Sequence, residues 1–204
     1  MFKRKNLHIA LVASSALLLS AAASAETTPG SASIIVTNAF SLVETTPIDF
    51  GNIQVATDVD NATTGEVTVT IPGNANPMTL ANASTPAEAN GNILTQGTPG
   101  LFNITGAAPF TALTINFPAA FDLTNTTAPP STPAFEVTLA AATTFVVGGA
   151  EDGNVYDAAT PNLTTDGTGA VGFNLGGVLT TDATATAVYA DGTYSGSYTM
   201  EVVY

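Results

Sequence analysis

Apolar residues alternate with small polar residues along much of this chain. The clearest alternations fall in residues 67–71, 102–105, 113–117 and 135–139. A period of two places every second side chain on the same face, which is typical of β-strands with one buried face. Between these segments lie turn-forming pairs: Pro72-Gly73, Asn90-Gly91, Asp152-Gly153, Asp166-Gly167 and Asp191-Gly192. The pattern predicts many short strands joined by turns.

No segment shows a sustained helical period, and residues 80–90 are the one place where we expect a helical turn. Many short strands with turn signals between them predict an all-β fold, an immunoglobulin-like antiparallel β-sandwich. We expect one domain over residues 26–204, since a chain of about 150 residues already buries roughly two-thirds of its unfolded surface.

The two ends of this domain carry unusually regular alternation. In the N-terminal segment, Ala32, Ile34 and Val36 share one face of a long predicted strand that runs through residues 31–43. At the C-terminus one face of the predicted last strand is formed by Tyr194, Tyr198, Met200, Val202 and Tyr204.

These ends predict an incomplete sandwich. An immunoglobulin-like sandwich normally has one more strand after the tyrosine-bearing one, and none follows Tyr204 in this sequence. An uncovered sheet edge recruits strands from other chains, and a long alternating segment is a suitable ligand for it. We therefore expect residues 26–43 to act as a donor strand, through Ala32, Ile34 and Val36. The acceptor edge would be the Tyr194, Tyr198, Met200, Val202 and Tyr204 face.

Residues 1–25 have the pattern of a secretory signal peptide. A basic stretch, Lys3-Arg4-Lys5, precedes an apolar run over residues 9–19, and Ala23-Ser24-Ala25 supplies a small-residue cleavage site. The apolar run is shorter than the roughly 20 residues of a membrane span. We expect an exported protein that reaches the periplasm or cell surface without direct membrane insertion.

The charged residues exclude several classes of function for the chain after residue 25. The chain has a net charge of −13, with 16 Asp and Glu residues, and its basic residues and its single histidine, His8, all lie within the leader. Nucleic-acid binding depends on Lys and Arg, so we expect no nucleic-acid partner. The chain has no cysteine either. After residue 25 there is therefore no histidine base, no lysine amine and no thiolate, and we expect no enzyme, no catalytic residue and no cofactor.

The acidic turns are the remaining candidates for chemistry. Residues 58–61 and 151–157 could offer oxygens to Ca²⁺, but neither has the ligand spacing of an EF-hand, and solvated turns are the simpler interpretation. Paired carboxylates could serve a glycoside hydrolase, yet the chain has no tryptophan and no cation to orient a sugar. We therefore predict no metal site.

Four stretches resemble known families. Ile48-Asp49-Phe50-Gly51-Asn52-Ile53 resembles the "L-x-F-G" signature of archaic chaperone–usher pilins and spore-coat-U-like proteins, and residues 192–204 resemble their closing strand. Residues 102–106 and 175–179 are similar to segments of the exported bacterial family DUF4402. The resemblance implies a sandwich completed by a donated strand, with a periplasmic chaperone and an outer-membrane usher as partners.

Two hypotheses follow. In the first, the protein is a pilin-like, non-enzymatic subunit of a bacterial surface fibre that polymerises with copies of itself or related subunits. In the second, it is a monomeric exported sandwich that binds a glycan or a protein through loops within residues 72–100 and 148–168. The sequence leaves open whether the N-terminal strand pairs within its own chain or with a neighbour.

Overall fold

The computed structural model describes residues 33–34, 39–56, 66–82, 89–182 and 187–204. Residues 37–204 form one compact unit and residues 1–36 another, of which only Ser33 and Ile34 are described. The predicted leader, residues 1–25, lies outside the described residues. In the part that is described, no helix is long and apolar enough to cross a membrane.

Fourteen strands lie in the described part of the larger unit. They are β1 Ser41–Thr46, β2 Asn52–Ala56, β3 Val67–Ile71, β4 Thr79–Asn82, β5 Asn90–Thr95, β6 Gly100–Thr105, β7 Ala112–Asn116, β8 Phe121–Leu123, β9 Phe135–Thr138, β10 Phe145–Val147, β11 Leu163–Thr164, β12 Val171–Leu175, β13 Gly177–Thr181 and β14 Glu201–Val203.

The strands form antiparallel sheets. The largest has the order β4-β3-β13-β9-β8, and a second has the order β1-β6-β12-β10. Two smaller groups have the orders β11-β7-β14 and β2-β5. Every pairing between these strands is antiparallel. The predicted all-β sandwich class is confirmed, while its immunoglobulin-like strand order stays a prediction.

The alternation in the sequence sets which side chains enter the core. In β3, Val67, Val69 and Ile71 are each 1% exposed, whereas the intervening threonines are half-buried. β6 and β9 show the same pattern. Burying one such aliphatic side chain stabilises the fold by about 1.5–3 kcal/mol relative to leaving it in water. Side chains of both larger sheets join one apolar core.

β1 and β2 follow each other in the chain and form one side of a long bent ribbon. β1 pairs with β6 and β2 pairs with β5, and between them Asp49 and Thr98 exchange backbone hydrogen bonds of 2.9 and 2.8 Å. Gly51, with φ of 69°, lies where a β-carbon would be 2.3 Å from the Thr95 carbonyl oxygen. A β-carbon on Gly97 would be 2.0 Å from the Asp49 carbonyl oxygen. The bend therefore requires glycine on both strands.

The prediction of a helical turn within residues 80–90 is wrong at both ends of that range. Residues 80–82 complete β4, where Leu80 pairs with Val69, and residue 90 begins β5. Cross-strand pairing with β3 outweighs the weak local helical preference. Residues 83–88 lie outside the described part. A 3₁₀ turn occurs at Ala141–Thr143.

The two terminal strands, which the sequence predicted to be long, are shorter than predicted in the described residues. β1 begins at Ser41, and Ala39 and Phe40 just before it are not in a strand. Near the C-terminus the ladder is confined to Glu201–Val203 and an isolated bridge between Ser195 and Thr124. The stretch between them follows an extended course with few backbone partners.

Candidate functional site: a groove between a sheet edge and the C-terminal segment

A groove of about 1230 Å³ opens in the larger unit. One wall is formed by residues 44–55, and the opposite wall by residues 189–200. We call these the β1–β2 wall and the C-terminal wall. Core side chains from both large sheets line the groove between them, namely Phe102, Phe121, Leu123, Phe135 and Leu179. The groove therefore gives access to the apolar interior of the sandwich.

The β1–β2 wall is a sheet edge. Within the described residues β1 pairs only with β6, and β2 pairs only with β5, so one side of each strand faces the groove. Phe50 turns inward and is 9% exposed. The carboxylate of Asp49 accepts a 2.8 Å hydrogen bond from the Gly51 N–H and so supports the turn that directs Phe50 inward.

The C-terminal wall is a second edge. Ser195 exchanges two backbone hydrogen bonds of 3.0 Å with Thr124, next to β8. In an antiparallel pair, the residues on either side of such a position point their N–H and C=O groups away from the partner. Tyr194 and Gly196 therefore direct these groups toward the groove. As far as the structure describes the chain, the backbone of residues 196–199 makes no hydrogen bond.

Aromatic side chains hold the C-terminal wall in place. The Phe135 ring stacks on Tyr189 with centroids 4.2 Å apart and meets Tyr194 edge-on at 4.8 Å. The Tyr189 hydroxyl accepts a 2.8 Å hydrogen bond from the Asp182 N–H and donates one of 2.9 Å to the Ala134 carbonyl. Burial raises the pKa of Tyr189 to about 12 because the phenolate would lose its solvation. The wall is thus anchored on its core side.

A side-chain bridge marks one end of the groove. The Tyr198 hydroxyl donates a 2.9 Å hydrogen bond to the Glu44 carboxylate, and the Tyr198 ring stacks on Phe121 at 5.2 Å. Burial first, and then the hydrogen bond and negative charge of Glu44, raise the pKa of Tyr198 above its usual range. Beyond this bridge, the Tyr204 ring packs edge-on against Phe40 at 5.4 Å. The hydrogen bond therefore spans the groove from wall to wall at this end, which we call the closed end.

The opposite end of the groove is open. There the lining residues include Val55 and Leu94 on one side and Asp191 on the other, and the Leu94 side chain is 56% exposed. This end corresponds to the far end of the β1–β2 wall, away from Phe40. We call it the open rim.

The electrostatics of the groove favour an occupant without negative charge. Exposed carboxylates of Glu44, Asp49 and Asp191 lie along it. No Lys, Arg or His occurs in the described ranges to balance them. A neutral apolar segment meets neither repulsion nor the cost of burying a charge in the lining.

The structure assigns different positions to the residues that the sequence predicted for assembly. Tyr194, Tyr198 and Met200 line the groove, whereas Val202 is buried against β7 and Tyr204 lies beyond the closed end. Of the predicted donor residues, the Ile34 side chain is 85% exposed. Ala32 and Val36 lie outside the described residues.

The acidic turns use their carboxylates for local hydrogen bonds. Asp152 accepts from the Gly148 N–H at 2.8 Å, and Glu151 accepts from the Asn154 side chain at 2.8 Å. Asp157 accepts from the Ala159 and Thr160 amides. No group of three or more potential metal ligands occurs in the residues that the structure covers, and the turn at residues 58–61 falls outside them.

The sequence prediction missed the β1–β2 wall. The signal was present in Ile48-Asp49-Phe50-Gly51, where an inward aromatic is followed by a glycine that the bend requires. The alternation of the C-terminal residues identified the other wall, but alternation alone does not show which two strands leave a gap between them. No protein-family model, curated protein or solved structure matches this chain.

Proposed function

We propose that this protein is a non-enzymatic, pilin-like subunit of a bacterial surface fibre, in which each copy inserts its N-terminal segment into the groove of the next. The observation that carries this proposal is the groove itself, a channel with apolar core side chains at its base and polar groups along the β1–β2 wall and the C-terminal wall. Its volume of about 1230 Å³ lies above the roughly 300–1,000 Å³ of typical small-molecule pockets. An extended peptide suits it better than a compact ligand.

Backbone groups on the edges support a strand as the occupant. The edges of β1 and of residues 194–196 offer N–H and C=O groups toward the groove, and an inserted strand would satisfy them. Main-chain pairing supplies affinity in this mode, and alternate side chains entering apolar pockets supply specificity. The lining residues Phe121, Leu123 and Leu179 would contact those side chains.

The N-terminal segment has the matching chemistry. Ala32, Ile34 and Val36 alternate with Ser33 and other residues, and the segment 27–43 contains no charged side chain. It would therefore enter a groove bordered by carboxylates without repulsion. Insertion between copies gives a head-to-tail contact, which builds a filament when the rotation does not close.

The test uses the chain that begins at residue 26 and compares donor-strand residues that point to opposite faces of the strand. Ile34→Asp would place a carboxylate in the apolar groove and is expected to abolish polymer in light scattering. Ile35→Asp is the matched control, because the neighbouring residue points to the opposite face and polymer should persist. Deleting residues 26–37 should leave folded subunits that do not polymerise. Normal assembly by the Ile34→Asp chain or by the deletion would refute the proposal.

This proposal also implies partners and a location. An open groove with bare edges is prone to wrong pairing before assembly, so the subunit would need a periplasmic chaperone to cover it and an outer-membrane usher to export it. Association of the subunit with such a chaperone would be lost if a carboxylate were placed in the groove lining.

The second candidate is a monomeric binding module that uses the same groove. The specific observation in its favour is the tyrosine and phenylalanine lining, because aromatic faces also bind sugar rings and aromatic peptides. A monodisperse monomer that binds a glycan, with binding insensitive to Ile34→Asp, would support this function against the fibre.

A further inference from the structure

We propose that the Phe110 turn is a second contact surface between consecutive copies of this chain, and that it packs against the open rim of the neighbour's groove. This inference rests on the proposed strand insertion and adds a contact that insertion alone does not require. Its occupant is therefore a second copy of the same protein.

Phe110 is unusual in both exposure and backbone conformation. Its side chain is 77% exposed, and its φ of 52° is the one positive value among the described residues other than glycine. A bulky residue in the left-handed region is strained, because its β-carbon comes too close to the following carbonyl oxygen. The exposed ring offsets little of that cost within its own subunit, and strained residues of this kind concentrate at functional surfaces.

The turn around Phe110 is held rigidly. The buried Thr165 hydroxyl donates to the Ala108 carbonyl at 2.6 Å and accepts from the Thr111 N–H at 2.9 Å. The Phe110 N–H donates to the Asp166 carbonyl at 3.3 Å. Because the backbone that carries the ring is already ordered, covering the ring costs less conformational entropy than ordering a whole loop would, as an interface anchor requires.

Phe110 lies at the same end of the unit as the start of β1. The Ala108 N–H donates to the Tyr204 hydroxyl at 3.2 Å, and the Tyr204 ring packs on Phe40 at 5.4 Å. Phe40 lies directly before the first residue of β1, Ser41. We call this end the Phe110 pole.

Chain length brings the pole close to the neighbour. Phe40 is four positions after Val36, and this stretch of chain spans at most about 13–14 Å when fully extended. A copy that holds Val36 in its groove must therefore lie within that distance of the donor's Phe110 pole.

The shape of the groove selects which part of the neighbour faces the pole. The Tyr198 and Glu44 bridge closes one end, so a donor strand leaves through the open rim, where Leu94 is 56% exposed. The described residues contain no cation, so ion pairs between copies cannot form there. Apolar contact between Phe110 and Leu94 is the interaction that can offset the repulsion of two acidic surfaces.

The test compares polymers of the full chain from residue 26. Phe110→Gly relieves the backbone strain, so the subunit should fold at least as stably, yet its polymer should have a critical concentration about tenfold higher, as expected when one anchoring aromatic is lost. Phe110→Tyr should restore assembly. Val155→Ala, which trims an exposed valine elsewhere, should assemble normally.

The outcomes separate the two proposals. If Phe110→Gly polymers form at the normal concentration while Ile34→Asp chains do not assemble, the Phe110 contact is refuted and strand insertion stands. If the unmodified chain forms no polymer, both proposals fail. A matching tenfold loss in Leu94→Ala that does not add to the loss in Phe110→Gly would support direct contact between the two residues.

Discussion

The Tyr198 hydroxyl and the Glu44 carboxylate are joined by a 2.9 Å hydrogen bond across one end of the groove. The two residues are 154 positions apart and belong to the two opposing walls. The bond therefore ties together strands that share no backbone pairing within the described residues. It fixes where the groove ends and how far its walls can separate there.

A double-mutant cycle with Glu44→Ala and Tyr198→Phe tests this tie, because each change removes the hydrogen bond. We expect a coupling free energy of about 0.5–1.5 kcal/mol in urea unfolding, because the bond is exposed to solvent but has a charged acceptor. A cycle with Glu44→Ala and Tyr194→Phe is the control and should show no coupling, since the Tyr194 hydroxyl donates to Ala190 instead. Additive effects in the first cycle would contradict the bridge.

The bend between β1 and β2 gives a second prediction. Gly97→Ala should lower the free energy of unfolding by at least about 3 kcal/mol, since its β-carbon would overlap the Asp49 carbonyl and neither backbone can yield. Gly106→Ala is the matched control. It has φ of 80° but no atom within 4 Å of the added carbon, so it should cost only about 1–2 kcal/mol of backbone strain. Equal losses in the two variants would show that crowding at the bend is unimportant.

The core and the strands were predictable from the sequence because burial follows a period of two. Val69 and Val137 are buried as their alternation predicts, and both pair with Leu179 of β13. The all-β class needed no further information. Leu80 misled the prediction because its environment is set by a strand that lies eleven residues earlier in the chain, at Val69.

The groove was only half predictable. The alternation of Tyr194, Tyr198 and Met200 identified one wall, since such a pattern is local. The other wall and the bridge to Glu44 depend on sheet order, which the pattern of single strands does not encode. The exposed Phe110 likewise gives no sequence signal, because its conformation follows from hydrogen bonds to a loop about 55 residues away.

A buried tyrosine in the core gives a third prediction. The Tyr156 hydroxyl accepts a 2.9 Å hydrogen bond from the Ile115 N–H in the middle of β7, and Tyr156 is 2% exposed. Tyr156→Phe leaves that amide without an acceptor in the core, so unfolding should require about 1–3 kcal/mol less free energy. Tyr194→Phe, at a half-buried position, should cost less than about 1 kcal/mol. Differential scanning calorimetry of the two variants measures these two losses of stability.

Alkaline pH gives the last prediction. Burial raises the pKa of Tyr189 from 10.0 to about 12, so the folded state holds its phenolic proton more tightly than the unfolded state does. Its contribution to stability is complete below pH 10 and is lost as pH rises toward 12. We therefore expect the unfolding midpoint to fall between pH 10 and pH 12, with late appearance of tyrosinate absorbance. In Tyr189→Phe the fall should be shallower, although Tyr198 retains part of it because its pKa is also raised. An unchanged slope in that variant would mean that Tyr189 is not shielded by its contacts with Phe135 and Ala134.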